Sequence, residues 1–570
     1  SGRPPWRDRV PGLRQPAGPA MRDGGSLVSR RDLVLQALFV FAAALVVRIL
    51  AASIVVFPEP EDTAYYVGIA KNMLEGAGLT TNAIWSYQTP PLSFPRPAFE
   101  VWLPLPTFLA AVPMAILGTT FAAAQWSSVV VGSLVPVLAW RIAADAAIDR
   151  RLPISRVRVL AVGTGLTGAV YLPLVLHSAL PDSTMPFAVL ALAACALMPR
   201  LLREAESIRL IDWRLVGLGV LIGVAALTRN EAAFVGFAWL VVVWLRPGIS
   251  GRRKLSLVAA PAIVALVVFT PWMLRDWVEF GNPLPGQALA NALSVTGFDI
   301  FAWEDPPTLA RYLSVGPARL LEMRVEGVYH NLFTVLLIPG FPTSFLGLVA
   351  LPWFIRLRAL APLAVLSVTT FLVTSLVFPV STTWGTYLHA AGPAHVLLIV
   401  SALLALDSFI AWVGQRRGWT RPVAWLGAAL TVSASLLFLA APSGMPFVGG
   451  QSEAFASRYR AIDVAMAAAA RPLAEEGPII TNFPIWLAVS TGAKALALPN
   501  ESPRAVADLA RQFQSRLLVV VGKQHGDWPG VLETDDPGAE CFHELHVPPP
   551  ADPREAGALE EVRVFEVVCP

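Results

Sequence analysis

The stretch Leu33–Leu79, LVLQALFVFAAALVVRILAASIVVFPEPEDTAYYVGIAKNMLEGAGL, decides how the rest of the chain is read. Residues 33 to 57 form an apolar run long enough to cross a hydrocarbon core, which needs about 20 such residues. Arg30 and Arg31 precede the run and hold its start on the cytoplasmic side. Glu59, Glu61 and Asp62 lie immediately beyond it. From Asp62 the spacing of Tyr66, Ile69, Met73 and Leu74 predicts an amphipathic helix along the membrane surface, with Lys71 and Glu75 toward water. Carboxylates at that depth are either bases or a solvated acidic turn capping the helix, and local chemistry leaves both open.

The composition extends this reading outward. Of 570 residues, 55% are hydrophobic and 15% charged, with a mean hydropathy of +0.59, whereas soluble domains carry roughly 25% charged residues. The chain therefore requires lipid. Further apolar spans fall at about 98 to 118, 121 to 143, 157 to 180, 185 to 202, 214 to 229, 231 to 246, 255 to 274, 332 to 355, 359 to 379, 390 to 412 and 423 to 441. The basic connectors 150 to 158, 200 to 210, 246 to 254, 356 to 358 and 415 to 421 fall on one side when the later spans alternate, and that side is cytoplasmic by the positive-inside rule. Clustered in this way, the basic residues set topology, which excludes a nucleic-acid surface.

Asp62 outside and Arg150 inside require an odd number of crossings, yet two apolar stretches lie between them. Pro90, Pro91, Pro95, Pro97, Pro104, Pro106 and Pro113 point to a broken or interfacial segment there. The expected fold is thus a polytopic α-helical membrane protein of about 11–13 transmembrane helices, eleven being the preferred number. Residues 1–30 form a disordered or vector-derived cytoplasmic tail, and residues 31–441 a transmembrane domain with outer loops 58–97 and 275–330. Residues 450–570 alternate helical and strand-like runs and read as a small extracytoplasmic α/β domain. Ser502–Pro503 is a helix start within it.

Two features invite over-reading. GTGLTG (163–168) has the dinucleotide-binding spacing but lies inside an apolar span, where small residues let helices approach closely. Of three cysteines, Cys195 lies in a span, while Cys541 and Cys569 share the polar C-terminal region and are either paired or free. No metal-ligand spacing appears.

The segments DTAYYVGIAKNMLEGAGL, SFPRPAFEVWLP and TPWMLRDWVEFGNPLP, with the terminal α/β region, resemble the GT-C superfamily of polyprenyl-phosphate-sugar-dependent glycosyltransferases. The nearest branch is the protein mannosyltransferase and aminoarabinose transferase group. The resemblance implies a catalytic aspartate in the first outer loop, matched by Asp62, with Tyr66 following as a substrate contact. Glu61 precedes the aspartate where relatives often carry an acid after it, so the base role stays open between the two. Asp182, in ALPDSTMPF, matches a second acid in the next outer loop. Arg96 matches a basic residue near the donor phosphate, Arg275 a phosphate contact, and Arg311, Arg319 and Arg324 punctuate a loop that closes over donor in relatives. Arg229 and Glu231 read as a structural pair.

His389, in GTYLHAAGPAH, enters as a donor to phosphate or acceptor, against a structural role. Trp85, Trp102 and Trp384 read as an interfacial belt or as sugar-stacking rings. A divalent cation would draw on Asp62 and Asp182, but two carboxylates so far apart in sequence specify no site.

The implied reaction moves a sugar from a polyprenyl-phosphate donor to a lipid, glycan or protein acceptor, with inversion, at the outer face of a plasma (inner) membrane, in a bacterial setting. Membrane lipids are the other partner. The rival reading is a transporter or flippase, which predicts inverted repeats and midplane ionisable residues; charge concentrates instead in the outer loops. The WWDYG element of oligosaccharyltransferases is absent.

Overall fold

A computed structural model of the chain describes residues 30–419 and 423–569. The expected N-terminal tail, apart from Arg30, and the end of the connector 415–421 lie outside the described residues. Among the described residues, six helical stretches are long and apolar enough to cross a membrane: Arg30–Ile54, Phe121–Asp149, Thr184–Arg203, Gly251–Phe280, Gly392–Arg416 and Trp425–Ala468. Shorter apolar helices, including Trp213–Ala226, Ala232–Trp244, Thr343–Phe354 and Ala361–Leu376, pack among them. The chain is a polytopic α-helical membrane protein.

The basic connectors gather at one end of the bundle. Asp149 accepts the Ala359 N–H at 2.7 Å, Arg156 pairs with Asp407 at 2.5 Å, and Arg150 lies 5.2 Å over the Phe354 ring. Arg200 reaches Asp145 at 3.4 Å, and Arg253 donates to the carbonyls of Ala205 and Ile208. Helix-end carbonyls and acids thus neutralise guanidinium groups where the helices leave the apolar layer.

The Pro-rich stretch forms no membrane-length helix. Its helix, Leu105–Leu117, has 13 residues, about 20 Å at 1.5 Å per residue, too short for a core about 30 Å thick. Ala110 and Met114 pack instead against Val67 and Ala70 of the helix Glu61–Leu74 and against Ala123. This leaves a single spanning stretch, Phe121–Asp149, between Asp62 and Arg150. The run ending at 274 in the sequence continues as the helix Gly251–Phe280, whose 30 residues measure about 45 Å and overreach the core. The glycines at 163 and 165 sit in the helix Ile154–Val170, where an added Cβ would fall 2.4 Å from Ala428 Cβ and 2.8 Å from Val40 Cγ1. They serve helix packing.

The helix Glu61–Leu74 differs from its expected position. Lys71 and Glu75 are exposed, but residues 62–67 are buried. Besides Leu105–Leu117, the cover is the helix Pro484–Thr491 of the C-terminal region, which approaches so closely that a Cβ on Gly68 would lie 2.7 Å from Val489 Cγ2. The periodicity that looked like a membrane-facing stripe faces protein instead.

The C-terminal sheet has six strands in the order Ala83–Ile84, Lys494–Ala497, Pro478–Thr481, Leu517–Val521, Val562–Val567 and Phe542–Glu544. The first four run parallel and the last two pair antiparallel. Leu517–Val521 is wholly buried, as its unbroken apolar run requires of a central strand. The edge strand Ala83–Ile84 comes from the first outer loop, with Ala83 opposite Ala495. The second outer loop is tied in as well, since the Glu501 carboxylate accepts the N–H groups of Trp303, Glu304 and Asp305 at 2.8 to 3.1 Å. Ser502 caps the helix Pro503–Phe513 through the Ala505 N–H, and Cys541 and Cys569 form a disulfide.

Candidate active site

At the end of the bundle away from the basic connectors, helix termini converge around a cavity of about 670 Å³. Pro58 and Pro60 separate the first span from the helix Glu61–Leu74 and place both acids in its first turn, where the helix dipole favours negative charge. Asp182 precedes the helix Thr184–Arg203 and accepts the Thr184 N–H at 2.8 Å. Arg229 lies in the turn between Trp213–Ala226 and Ala232–Trp244. His389 sits on the short helix Thr386–Ala390, entered through Gly385 at φ 113°, a conformation that glycine tolerates.

These side chains meet in one network. His389 Nε2 lies 3.2 Å from Asp62 Oδ2, and Nδ1 lies 3.4 Å from Asp182 Oδ2 and 2.8 Å from Thr184 Oγ1. His177 Nδ1 stands 3.6 Å from the same Asp182 oxygen. Arg229 grips Glu231 through two nitrogens at 2.9 and 3.2 Å and donates to Ser183 Oγ at 2.9 Å and the Thr386 carbonyl at 3.2 Å. Burial alone raises the Asp182 pKa, but the neighbouring His177 and His389 rings outweigh it and hold the carboxyl well below its usual range. Burial pushes Asp62 up, opposed by His389 and reinforced by Asp182. Burial lowers the His389 pKa, but Asp62 and Asp182 outweigh it and raise it. The ring therefore bridges Asp182 on one side and Asp62, which faces the cavity, on the other.

Glu61 and Asp62 part company in space. The Glu61 carboxylate accepts the Ile485 N–H at 3.0 Å at the start of the helix Pro484–Thr491, with further donors from the Trp486 backbone and the Trp85 side chain. Burial nevertheless raises its pKa to about 8, against those donors and with help from Asp62. Glu61 fastens the C-terminal region to the first loop, whereas Asp62 lines the cavity without that duty.

Tyr66, Asp62, Glu61 and His389 line the cavity; Asp182 stands behind His389. The five nominated arginines, Arg324 among them, lie outside the cavity lining. Arg96 is fully buried, paired with Glu100 at 3.1 Å and donating to the carbonyls of Ser86 and Thr89, so the first loop consumes its charge. Arg275 pairs with Asp276 at 3.0 Å, donates to the Ala98 carbonyl and covers Trp272. Arg311 bridges Asp299 and Asp305, and Arg319 pairs with Glu322 and Glu326 on an exposed helix face. Among the described residues lining the cavity, Arg229 is the single arginine or lysine. Its partnership with Glu231 is the one read from sequence, yet that pair forms part of the cavity wall. Trp85, Trp102 and Trp384 also line it rather than forming a lipid-facing belt. His177 escaped the sequence reading, although its place five residues before Asp182 in the same loop was a usable signal.

A divalent cation fits here with a different ligand set from the one expected. His177, Asp182 and His389 each offer a ligand atom within 4.8 Å of the others. His177 Nδ1 and Asp182 Oδ2 are buried without a hydrogen-bond partner, and a nitrogen–carboxylate set suits a borderline metal. Asp62 stands outside this set.

No protein-family model matches the chain, and no curated protein matches its sequence. Among solved structures, ArnT from Cupriavidus metallidurans bound to undecaprenyl phosphate superposes with a TM-score of 0.56 at 15% identity, over 94% of this chain and 99% of that one. The same protein in the apo state gives 0.50 at 15% identity, over 94% and 98%. The oligosaccharyltransferase AglB from Archaeoglobus fulgidus, in complex with an inhibitory peptide and a dolichol-phosphate, gives 0.47 at 13% identity, over 93% and 75%. At these identities the likeness concerns architecture: the chain shares the fold of ArnT, the fold that the resemblance to the GT-C superfamily implies.

Proposed function

We propose that this protein is a membrane glycosyltransferase that moves a sugar from a polyprenyl-phosphate donor to an acceptor at the extracytoplasmic face, with inversion and with Asp62 as general base. The observation that carries the proposal is the buried Asp62–His389–Asp182 relay at the wall of a cavity roofed by outer loops. ArnT, whose fold the chain shares, binds undecaprenyl phosphate. In this reading residues 31–441 lie in the plasma membrane with a cytoplasmic N-terminus, and residues 450–570 cover the site from outside.

Asp62 takes the proton of the acceptor hydroxyl or amine as the new bond to the anomeric carbon forms, an effect worth about 10²- to 10⁴-fold. The bond from that carbon to the phosphate oxygen breaks on the opposite face, and charge grows on the departing lipid phosphate. Arg229, the single arginine or lysine among the described residues lining the cavity, is shared with Glu231 and would lend that growing charge only what this pairing leaves over. His389 holds the Asp62 carboxylate in place while Asp182 fixes the ring from behind. A cation held by His177, Asp182 and His389 would supply a further positive charge beside Asp62.

Incubation of the purified protein with a panel of polyprenyl-phosphate sugars, followed by mass spectrometry, tests this. Free polyprenyl phosphate and a glycosylated product are the expected result; translocation of intact donor lipid without bond cleavage would favour a flippase instead.

A further inference from the structure

The cavity has two unlike walls. Val373, Val377 and Phe378, from the outer end of the helix Ala361–Leu376 and the residues after it, form an aliphatic side suited to a lipid. The other wall is aromatic and comes from four separate parts of the chain. Trp85 of the first outer loop and Trp102 just beyond it lie 4.8 Å apart, and Trp85 meets Phe301 of the second loop at 5.5 Å. Phe301 in turn meets Trp384 at 5.9 Å, and Trp486 of the C-terminal region lines the same space.

This wall does more than fill a core. Phe301 is buried, but Trp384 is 45% exposed, so part of its ring has no protein against it. Gly297 makes room for that ring, because a Cβ there would fall 2.0 Å from Trp384 Nε1. Beside the rings, Gln287 and Asn291 both line the cavity, one helical turn apart, and the amide oxygen of each is buried with no hydrogen-bond partner. The Gln287 nitrogen is already spent on Ser86 Oγ at 2.6 Å, which fixes the amide. An unpartnered buried acceptor is costly, a cost removed when a ligand brings a donor.

Ring faces beside unpaired acceptors match one ligand chemistry closely. A pyranose or furanose presents C–H faces to aromatic rings and O–H donors around its edge. We infer that this aromatic–amide wall is a saccharide subsite, and that it takes the acceptor, which makes the acceptor a glycan. Its assignment to acceptor rather than donor rests on the glycosyltransferase reading: the donor's lipid needs the aliphatic wall, while this wall is built from water-side loops. Acceptor hydroxyls bound here face the same cavity as Asp62.

Saturation-transfer NMR on the full chain in nanodiscs tests the subsite, with short hexose and pentose oligosaccharides of both anomeric linkages as one probe set and Ser/Thr peptides as another. Saturation of oligosaccharides is expected, falling about tenfold or more in Trp384→Ala and in Gln287→Leu. Saturation of peptides alone, of neither set, or of oligosaccharides to the same extent in both variants would overturn the inference. Trp384 is exposed enough for its removal to leave the fold intact, which an unchanged thermal melt would verify. Undecaprenyl phosphate binding, measured on the same samples by native mass spectrometry, separates the two readings. Glycan binding without lipid-phosphate binding sinks the donor assignment and leaves the saccharide subsite standing, whereas the converse removes only the subsite.

Discussion

Glu61 and Asp62 are neighbours with the same functional group, and their environments give them different work. Glu61 receives donors from the helix Pro484–Thr491 and from Trp85, and its pKa still rises to about 8. A carboxyl whose folded pKa exceeds its unfolded value contributes stability that is full below the unfolded pKa and fades as pH rises through the folded one. The melting temperature of the wild type relative to Glu61→Gln should therefore fall between about pH 5 and pH 9; a constant difference would show that Glu61 is ionised throughout. Arg229 and Glu231 are tied at 2.9 Å in the cavity wall. Arg229→Ala alone should cost about 3–5 kcal/mol, because it strands a buried carboxylate. Removing both residues should restore much of that in a double-mutant cycle read by thermal or denaturant unfolding. Additive losses would mean the two charges do not interact.

At the scale of elements, the C-terminal region belongs to the site as much as the spans do. It takes Ala83–Ile84 as an edge strand, caps its helix on Glu61 and supplies Trp486 to the cavity. Ending the chain after residue 468 should leave the spans inserted yet abolish sugar transfer; an active truncation would show that the roof is dispensable. The Cys541–Cys569 disulfide predicts that the denatured chain exposes one maleimide-reactive thiol, Cys195, without reductant and three with it. Much of this architecture was legible in sequence, because membrane spans and the Ser502 cap are local signals of hydropathy and helix-end chemistry. The strand contributed by residues 83–84 was not, since two residues carry no periodicity and their partner lies some 400 positions away. For the same reason Asp62 and His389 were both legible as candidates while their contact was not. The arginines misled for a related cause: sequence shows a cation in an outer loop but not the Glu100 or Asp299 that neutralises it.

For the molecule as a whole, charge sorts to the two ends of an apolar bundle. One end gathers Asp149, Arg156, Arg200 and Arg253 with their partners, and the other gathers Asp62, Asp182, Arg229 and His389. Single cysteines introduced at the exposed positions Glu304 and Arg356 should react with an impermeant maleimide from opposite sides of sealed vesicles. Labelling of both from one side would dismantle the topology. On the proposed reaction, the two-ended design would let the donor lipid stay in the bilayer while its head reaches the cavity. The most direct measurement is the rate of sugar release from a polyprenyl-phosphate donor by the wild type and by Asp62→Asn, in nanodiscs with lipid-phosphate binding monitored alongside. Unaltered lipid binding with transfer reduced about 10²-fold or more is the predicted result; transfer at the wild-type rate would contradict the role given to Asp62.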